Sequence, residues 1–158
     1  MLPENIRHAI RLESPEYAFT ASHVLIFSGE PEPVHAHRFV VRIEIEGTLD
    51  DTGCVVDFRQ VDTILRRLLA NWDGCVLLTE NNTPERLRLS DDSPHPVEWK
   101  PVRLPILTTS AEHLAEYLAK QLLGALREAG IPVPNRLRLE LEEAPGMYGV
   151  CIIPNPGG

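Results

Sequence analysis

Between residues 38 and 46 apolar and polar side chains alternate. Phe39, Val41, Ile43 and Ile45 fall on one face of an extended strand, and Arg38, Arg42, Glu44 and Glu46 on the other, with Val40 the exception. Strand side chains repeat with period two, so His35 and His37, just upstream, share the apolar face. Residues 17–25 alternate in the same way, Phe19, Ala21, His23 and Leu25 against Ala18, Thr20, Ser22 and Val24, which turns His23 inward as well. The connection between them, Ser28-Gly29-Glu30-Pro31-Glu32-Pro33, has the composition of a turn. Antiparallel pairing of these two strands brings His23, His35 and His37 together.

Beyond a turn at residues 47–53, residues 54–56 read as a short strand. Asp57 then stands as an N-cap with Gln60 three residues on. Phe58, Val61, Leu65, Leu68, Leu69 and Trp72 have helical spacing and predict a helix to about residue 72 with one buried side. Asp73-Gly74 breaks it, and residues 75–78 form a short apolar segment. Residues 79–105 carry five prolines and read as a long excursion with one short hairpin (85–89 against 97–104), not as a second domain. Thr109-Ser110-Ala111-Glu112 has the form of a capping box and opens a helix to about residue 129. Leu114, Leu118, Leu122, Ala125, Leu126 and Ala129 form its stripe, Gly130 caps it and Pro132 stops it.

A last pair of strands, 136–143 and 147–153, joins across Ala144-Pro145-Gly146. Leu137, Leu139 and Leu141 face inward, and Glu143 continues their parity. A carboxylate on a buried face is costly unless it is paired or used for binding, which separates Glu143 from Glu142. The order ββααββ predicts one α+β domain, a four-stranded antiparallel sheet with two helices on one face. Its open edges lead to the expectation of a homo-oligomer.

Composition narrows the function. With 158 residues, 43% hydrophobic and 24% charged, the chain has the make-up of a soluble globular domain. A formal net charge of -8 argues against nucleic acid or an anionic membrane surface as partner, though not against a basic pocket for a phosphorylated small molecule. No apolar run approaches the roughly 18 residues that span a bilayer, and the first residues lack a signal-peptide pattern. Cys54, Cys75 and Cys151 form no C-x-x-C pair and read as reduced thiols, so a cytoplasmic setting is the expectation. An H-x-H pair alone is a weak metal signal; such histidines are ligands or satisfied core residues.

Five collinear segments decide between those readings. Phe19-Thr20-Ala21-Ser22-His23 resembles F-x-A-x-H, and Val34-His35-Ala36-His37 resembles L-H-G-H, in the 6-pyruvoyltetrahydropterin synthase / 6-carboxytetrahydropterin synthase family. Residues 47–58 resemble its G-x-L-D-x-x-G-M-V-x-D-F, residues 109–115 its P-T-x-E-N-L-A, and residues 141–145 its x-x-E-T-P ending. The resemblance implies the tunnelling fold, with trimers closing a barrel and two trimers stacking into a homohexamer. It implies Zn²⁺ held by His23, His35 and His37, and a small-molecule pterin substrate, 7,8-dihydroneopterin triphosphate. Three neutral imidazoles leave zinc an open position, as catalytic sites require. Glu143 matches the residue that anchors the pterin ring.

The chain departs from the family at the proton-transfer group. No cysteine lies between His23 and His35, and the family's Asp-His pair reads Asp73-Gly74, so that Asp73 alone is retained as a catalytic candidate. Glu32, three residues before His35, matches the glutamate of E-x-x-H-G-H variants that cleave the pterin side chain, and is the candidate base; the alternative is a solvated acidic loop like that at Glu30. Cys54 and Cys151 read as packing residues. A zinc lyase is the leading expectation, and a pterin- or purine-binding homologue without catalysis is the alternative.

Overall fold

His8–His23 forms one 16-residue strand, β1, in the computed structural model, which describes residues 5–80 and 100–158. The polar lead-in before Tyr17 is therefore strand, with Ile10 and Leu12 buried. Pairing with β4 (His35–Gly47) slips between Glu13 and Ala18, around Pro15, which has no N–H to give the ladder. The slip inverts the parity, so Leu12 before it and Tyr17, Phe19, Ala21 and His23 after it all point inward. The strand ends at His23, two residues earlier than the pattern predicts. Leu25 is drawn instead into a small hairpin of β2 (Ile26–Phe27) and β3 (Glu30–Pro31). Ser28 and Gly29 at its tip have φ of 52° and 83°, the two positive values that a tight two-residue turn requires.

Among the described residues the sheet has six strands of mixed direction, not the four antiparallel strands expected. The order is β6-β5-β1-β4-β7-β8, where β5 is Cys75–Leu78, β6 Lys100–Arg103, β7 Arg136–Ala144 and β8 Met147–Pro154. The added strands β5 and β6 run parallel to β1 and to each other. Four-residue segments carry too little periodicity to be told from a loop, and only pairing with distant parts of the chain reveals them. Residues 100–103 of the expected hairpin are thus strand β6; the portion at 85–89 lies outside the described residues. Residues 54–56 are loop rather than strand. Asp50 accepts from Cys54 N–H at 3.0 Å and its own N–H donates to Cys54 O at 2.9 Å, so Cys54 is tied into the preceding turn.

Two helices cover one face of the sheet. In α1 (Phe58–Ala70), Asp57 caps Arg59 N–H, and Val61, Ile64, Leu65 and Leu69 are buried; Phe58, expected inside, is exposed. In α2 (Ala111–Glu128) the cap is Ser110, which accepts from His113 N–H, one residue later than the expected Thr109. The chain exits α2 through Gly130 at φ 73°, with Ile131 N–H on Leu126 O and Gly130 N–H on Arg127 O. The two helices cover the apolar side chains Phe19, Phe39, Val41, Ile43, Leu137, Leu139 and Leu141 of the sheet. The opposite face is a lattice of charge, with Arg42 3.0 Å from Glu13 and Arg138 2.9 Å from Glu140.

Candidate functional site

In the β1–β4 ladder His23 stands directly opposite His35, and Ala21 opposite His37, so the register alone places three imidazoles on one patch of the helix-covered face. Their ring centroids are 4.7 to 5.2 Å apart and the rings meet edge to face. Phe39 forms the floor, its ring 5.5 Å from His23 and 5.6 Å from His37. Beneath that, Phe39 stacks on Phe19 at 4.9 Å, so the patch rests on a packed apolar layer.

Second contacts set the ring orientations. Nδ1 of His23 lies 2.8 Å from the carbonyl oxygen of Thr109, and Nδ1 of His35 2.8 Å from that of Pro33. A carbonyl only accepts, so in the neutral ring each Nδ1 carries the proton and each Nε2 keeps its lone pair. Thr109 is itself fully buried, and its hydroxyl donates to Val24 O at 3.0 Å. Its role follows from the shifted cap: Ser110 serves the helix, which frees Thr109 to tie the start of α2 to the end of β1.

Glu143 completes the group. The β7–β8 register slips between Glu142 and Ala144, and Glu143 is the residue left out of the ladder. Its Oε1 lies 2.9 Å from His23 Nε2 and 3.5 Å from His37 Nε2. Burial pushes the His37 imidazole below its ordinary value, against the pull of Glu143.

These atoms suit a metal ion. His23 is wholly buried, and its Nε2 has no hydrogen-bond partner despite the short approach of Glu143. A lone pair aimed at a carboxylate oxygen is unfavourable unless a cation or proton stands between them. One ligand atom from each of His23, His35, His37 and Glu143 can be chosen so that all four lie within 4.8 Å of one another. Ligands about 2.1 Å from zinc in a tetrahedron stand about 3.4 Å apart, so only a small contraction brings them to bonding distance.

Glu32 lies at the rim. Its Oε1 accepts the Leu25 N–H at 3.0 Å and stands 3.7 Å from His35 Nε2, while its own N–H donates to Leu25 O at 2.9 Å. The β2–β3 hairpin thus fastens Glu32 beside the histidines, whereas Glu30 is exposed. Asp73 is placed elsewhere: its Oδ1 accepts Thr20 N–H at 2.8 Å, and Gly74 N–H donates to Thr20 O at 2.8 Å. Thr20 is three residues before His23, about 10 Å along a strand. The structure therefore brings His23, His35, His37, Glu143 and Glu32 together and leaves Asp73 in the turn behind them.

The other cysteines and histidines do not join this group. Cys75 is buried with its sulfur against Asn71 O and Asp73 O, and burial pushes its thiol up, which makes it a poor nucleophile. Cys151 is half-buried and also pushed up by burial, while Cys54 is exposed and not the packing residue expected. His113 is engaged by Ser110 and Thr108 at the start of α2; His95 lies outside the described residues. Thr109 is the residue that sequence reasoning missed. Its signal was its place in the T-S-A-E segment, which capping rules assigned to the helix.

A family model described as 6-pyruvoyl tetrahydropterin synthase matches residues 14–151. A protein of Methanocaldococcus jannaschii, provisionally named a 6-carboxy-5,6,7,8-tetrahydropterin synthase, is 25% identical over 144 residues, covering 84% of this chain and 87% of its own. Among solved structures, 6-pyruvoyltetrahydropterin synthase of Plasmodium vivax is similar with a TM-score of 0.75 and 20% identity, covering 95% of this chain and 99% of its own. That of Plasmodium falciparum gives 0.74 and 20%, with the same coverage. The Plasmodium vivax protein has also been solved with alanine or cysteine replacing a glutamate described as a catalytic residue. At these identities the solved structures establish a shared fold.

Proposed function

Because the chain belongs to the 6-pyruvoyl tetrahydropterin synthase family, we propose that it is a zinc-dependent lyase acting on the side chain of 7,8-dihydroneopterin triphosphate or a close relative. The observation that carries this reading is the convergence of His23, His35 and His37, with the buried Nε2 of His23 aimed into the group and unbonded. Bound by these nitrogens, zinc would acidify the side-chain hydroxyls and steady the negative charge that develops on them.

The chain's own residues supply the rest. Glu143 anchors the pterin, its two oxygens accepting in parallel from the ring's amino group and adjacent N–H. Glu32 is the base, its carboxylate fixed by Leu25 N–H and directed toward the rim of the histidine patch. With a base in that place, side-chain cleavage is favoured over elimination of triphosphate. Glu32 takes the proton of the 2′-hydroxyl, and the C1′–C2′ bond breaks as C2′ becomes the aldehyde of the departing two-carbon triphosphate fragment; the bond's electron pair passes to C1′ and the ring, and C1′ takes a proton to give 6-hydroxymethyl-7,8-dihydropterin. The catalytic glutamate of the Plasmodium vivax relative lends support to a carboxylate in this role. Asp73 contributes by holding the strand that carries His23. A cytoplasmic homohexamer built as a dimer of trimers belongs to the same proposal. The oligomer is supported by the sheet edges at β6 and β8, which pair with no further strand among the described residues, and by Tyr148, Val150 and Ile152 exposed along β8.

Incubating zinc-loaded protein with 7,8-dihydroneopterin triphosphate and resolving the products by mass tests the proposal. Consumption that stops on chelation is the expected result. Tight binding without consumption would favour a pterin-binding homologue that has lost catalysis, the reading suggested by Gly74 and by the lack of a cysteine between His23 and His35. Neither binding nor consumption would contradict both.

A further inference from the structure

We propose that Glu143 is a fourth metal ligand in the pterin-free protein, closing the site that the three histidines leave open. The inference rests on the reading of His23, His35 and His37 as metal ligands and assigns the same carboxylate a second task. Its Oε1 approaches two of the three ring nitrogens, at 2.9 and 3.5 Å, close to the roughly 3.4 Å edge of a tetrahedral zinc shell. Glu32, the other carboxylate nearby, is outside the four-residue ligand group, and its Oε1 is already engaged by Leu25 N–H.

The bulge gives Glu143 the freedom for this. As the residue omitted from the β7–β8 register, it is not aligned by a ladder partner, and its half-buried side chain reaches the histidines from the neighbouring strand β7. Electrostatics favours the arrangement, since three neutral imidazoles leave the metal at +2 and a carboxylate halves that charge. A pterin held by both oxygens of Glu143 competes for the oxygen on the metal. Pterin arrival therefore removes Glu143 from the metal and opens the position that the substrate hydroxyls need. The resting site is closed, and the substrate unlocks it.

Cobalt(II) in place of zinc reports this without turnover. Metal-free protein is titrated with cobalt against a chelator, and its visible ligand-field spectrum is recorded before and after addition of neopterin. Glu143→Gln is expected to weaken cobalt binding roughly tenfold or more and to alter the spectrum. Glu142→Gln, one residue away on the opposite face, removes the same charge and is expected to leave both unchanged. Neopterin is expected to shift the wild-type spectrum toward that of Glu143→Gln. Should Glu143→Gln fold poorly, Glu143→Asp keeps the charge but withdraws it by one methylene, and the same weakening is expected. Equal affinity and identical spectra for wild type and Glu143→Gln would overturn the assignment, as would equal weakening in Glu142→Gln. Unchanged cobalt affinity in His23→Ala would show instead that the histidine site itself is misread.

Discussion

The carbonyl oxygen of Thr109 stands 2.8 Å from Nδ1 of His23 across 86 residues of sequence, and it is this contact that leaves the Nε2 of His23 with a lone pair to offer. The Thr109 hydroxyl, on Val24 O, keeps the carbonyl in place. Thr109→Val removes that donor and leaves a buried carbonyl unsatisfied. The expected result is a loss of about 1–3 kcal/mol in denaturant unfolding and roughly tenfold weaker zinc binding by chelator competition. Thr109→Ser, which keeps the hydroxyl, is expected to restore most of the metal affinity.

Gly149 lets α2 sit where Thr109 can act. A Cβ there would lie 2.3 Å from the carbonyl carbon of Ala111 and 2.6 Å from Glu112 N, both backbone atoms that cannot turn aside. Gly149→Ala therefore displaces the start of α2. It is expected to cost about 3 kcal/mol or more by thermal or denaturant unfolding and to lower zinc affinity with it.

Glu32 is predicted to act on the chemical step rather than on binding. Glu32→Gln retains the size and can still accept from Leu25 N–H, but cannot take a proton. Steady-state kinetics is expected to show kcat lowered roughly 10²- to 10⁴-fold with KM changed little. Full activity in this variant would remove Glu32 from the mechanism.

Acid sensitivity has an identifiable contributor away from the site. Asp62 accepts from Tyr17 Oη at 2.7 Å and from Arg66 Nε at 3.0 Å, and these contacts, Tyr17 first, hold its carboxyl below the ordinary value of 3.8. A carboxyl whose folded pKa is depressed stabilises the fold above its unfolded pKa and loses that contribution as pH falls through the folded value. Asp62→Asn is thus expected to melt below wild type at neutral pH, with the gap closing below about pH 4.

What the sequence disclosed followed from periodicity. The alternation around Phe19 and Phe39 and the parity of Glu143 were sufficient to place three histidines and one carboxylate on a common face, and the structure brings these together. What escaped was short or nonlocal. β5 and β6, at four residues each, have no readable period, and their parallel pairing depends on a crossover that no local pattern states. Residues 54–56 look like strand because Val55 and Val56 favour it, yet Asp50 ties Cys54 into the preceding turn. The Thr109–His23 contact was hidden because Thr and Ser both serve as caps, and the capping-box spacing from Thr109 to Glu112 pointed to the wrong one of the two.

The most direct measurement is anomalous diffraction at the zinc edge from crystals of the zinc-loaded protein. The account predicts one strong peak per chain bonded to the Nε2 atoms of His23, His35 and His37. A well-ordered crystal with no peak there, or with zinc bound only elsewhere, would contradict it.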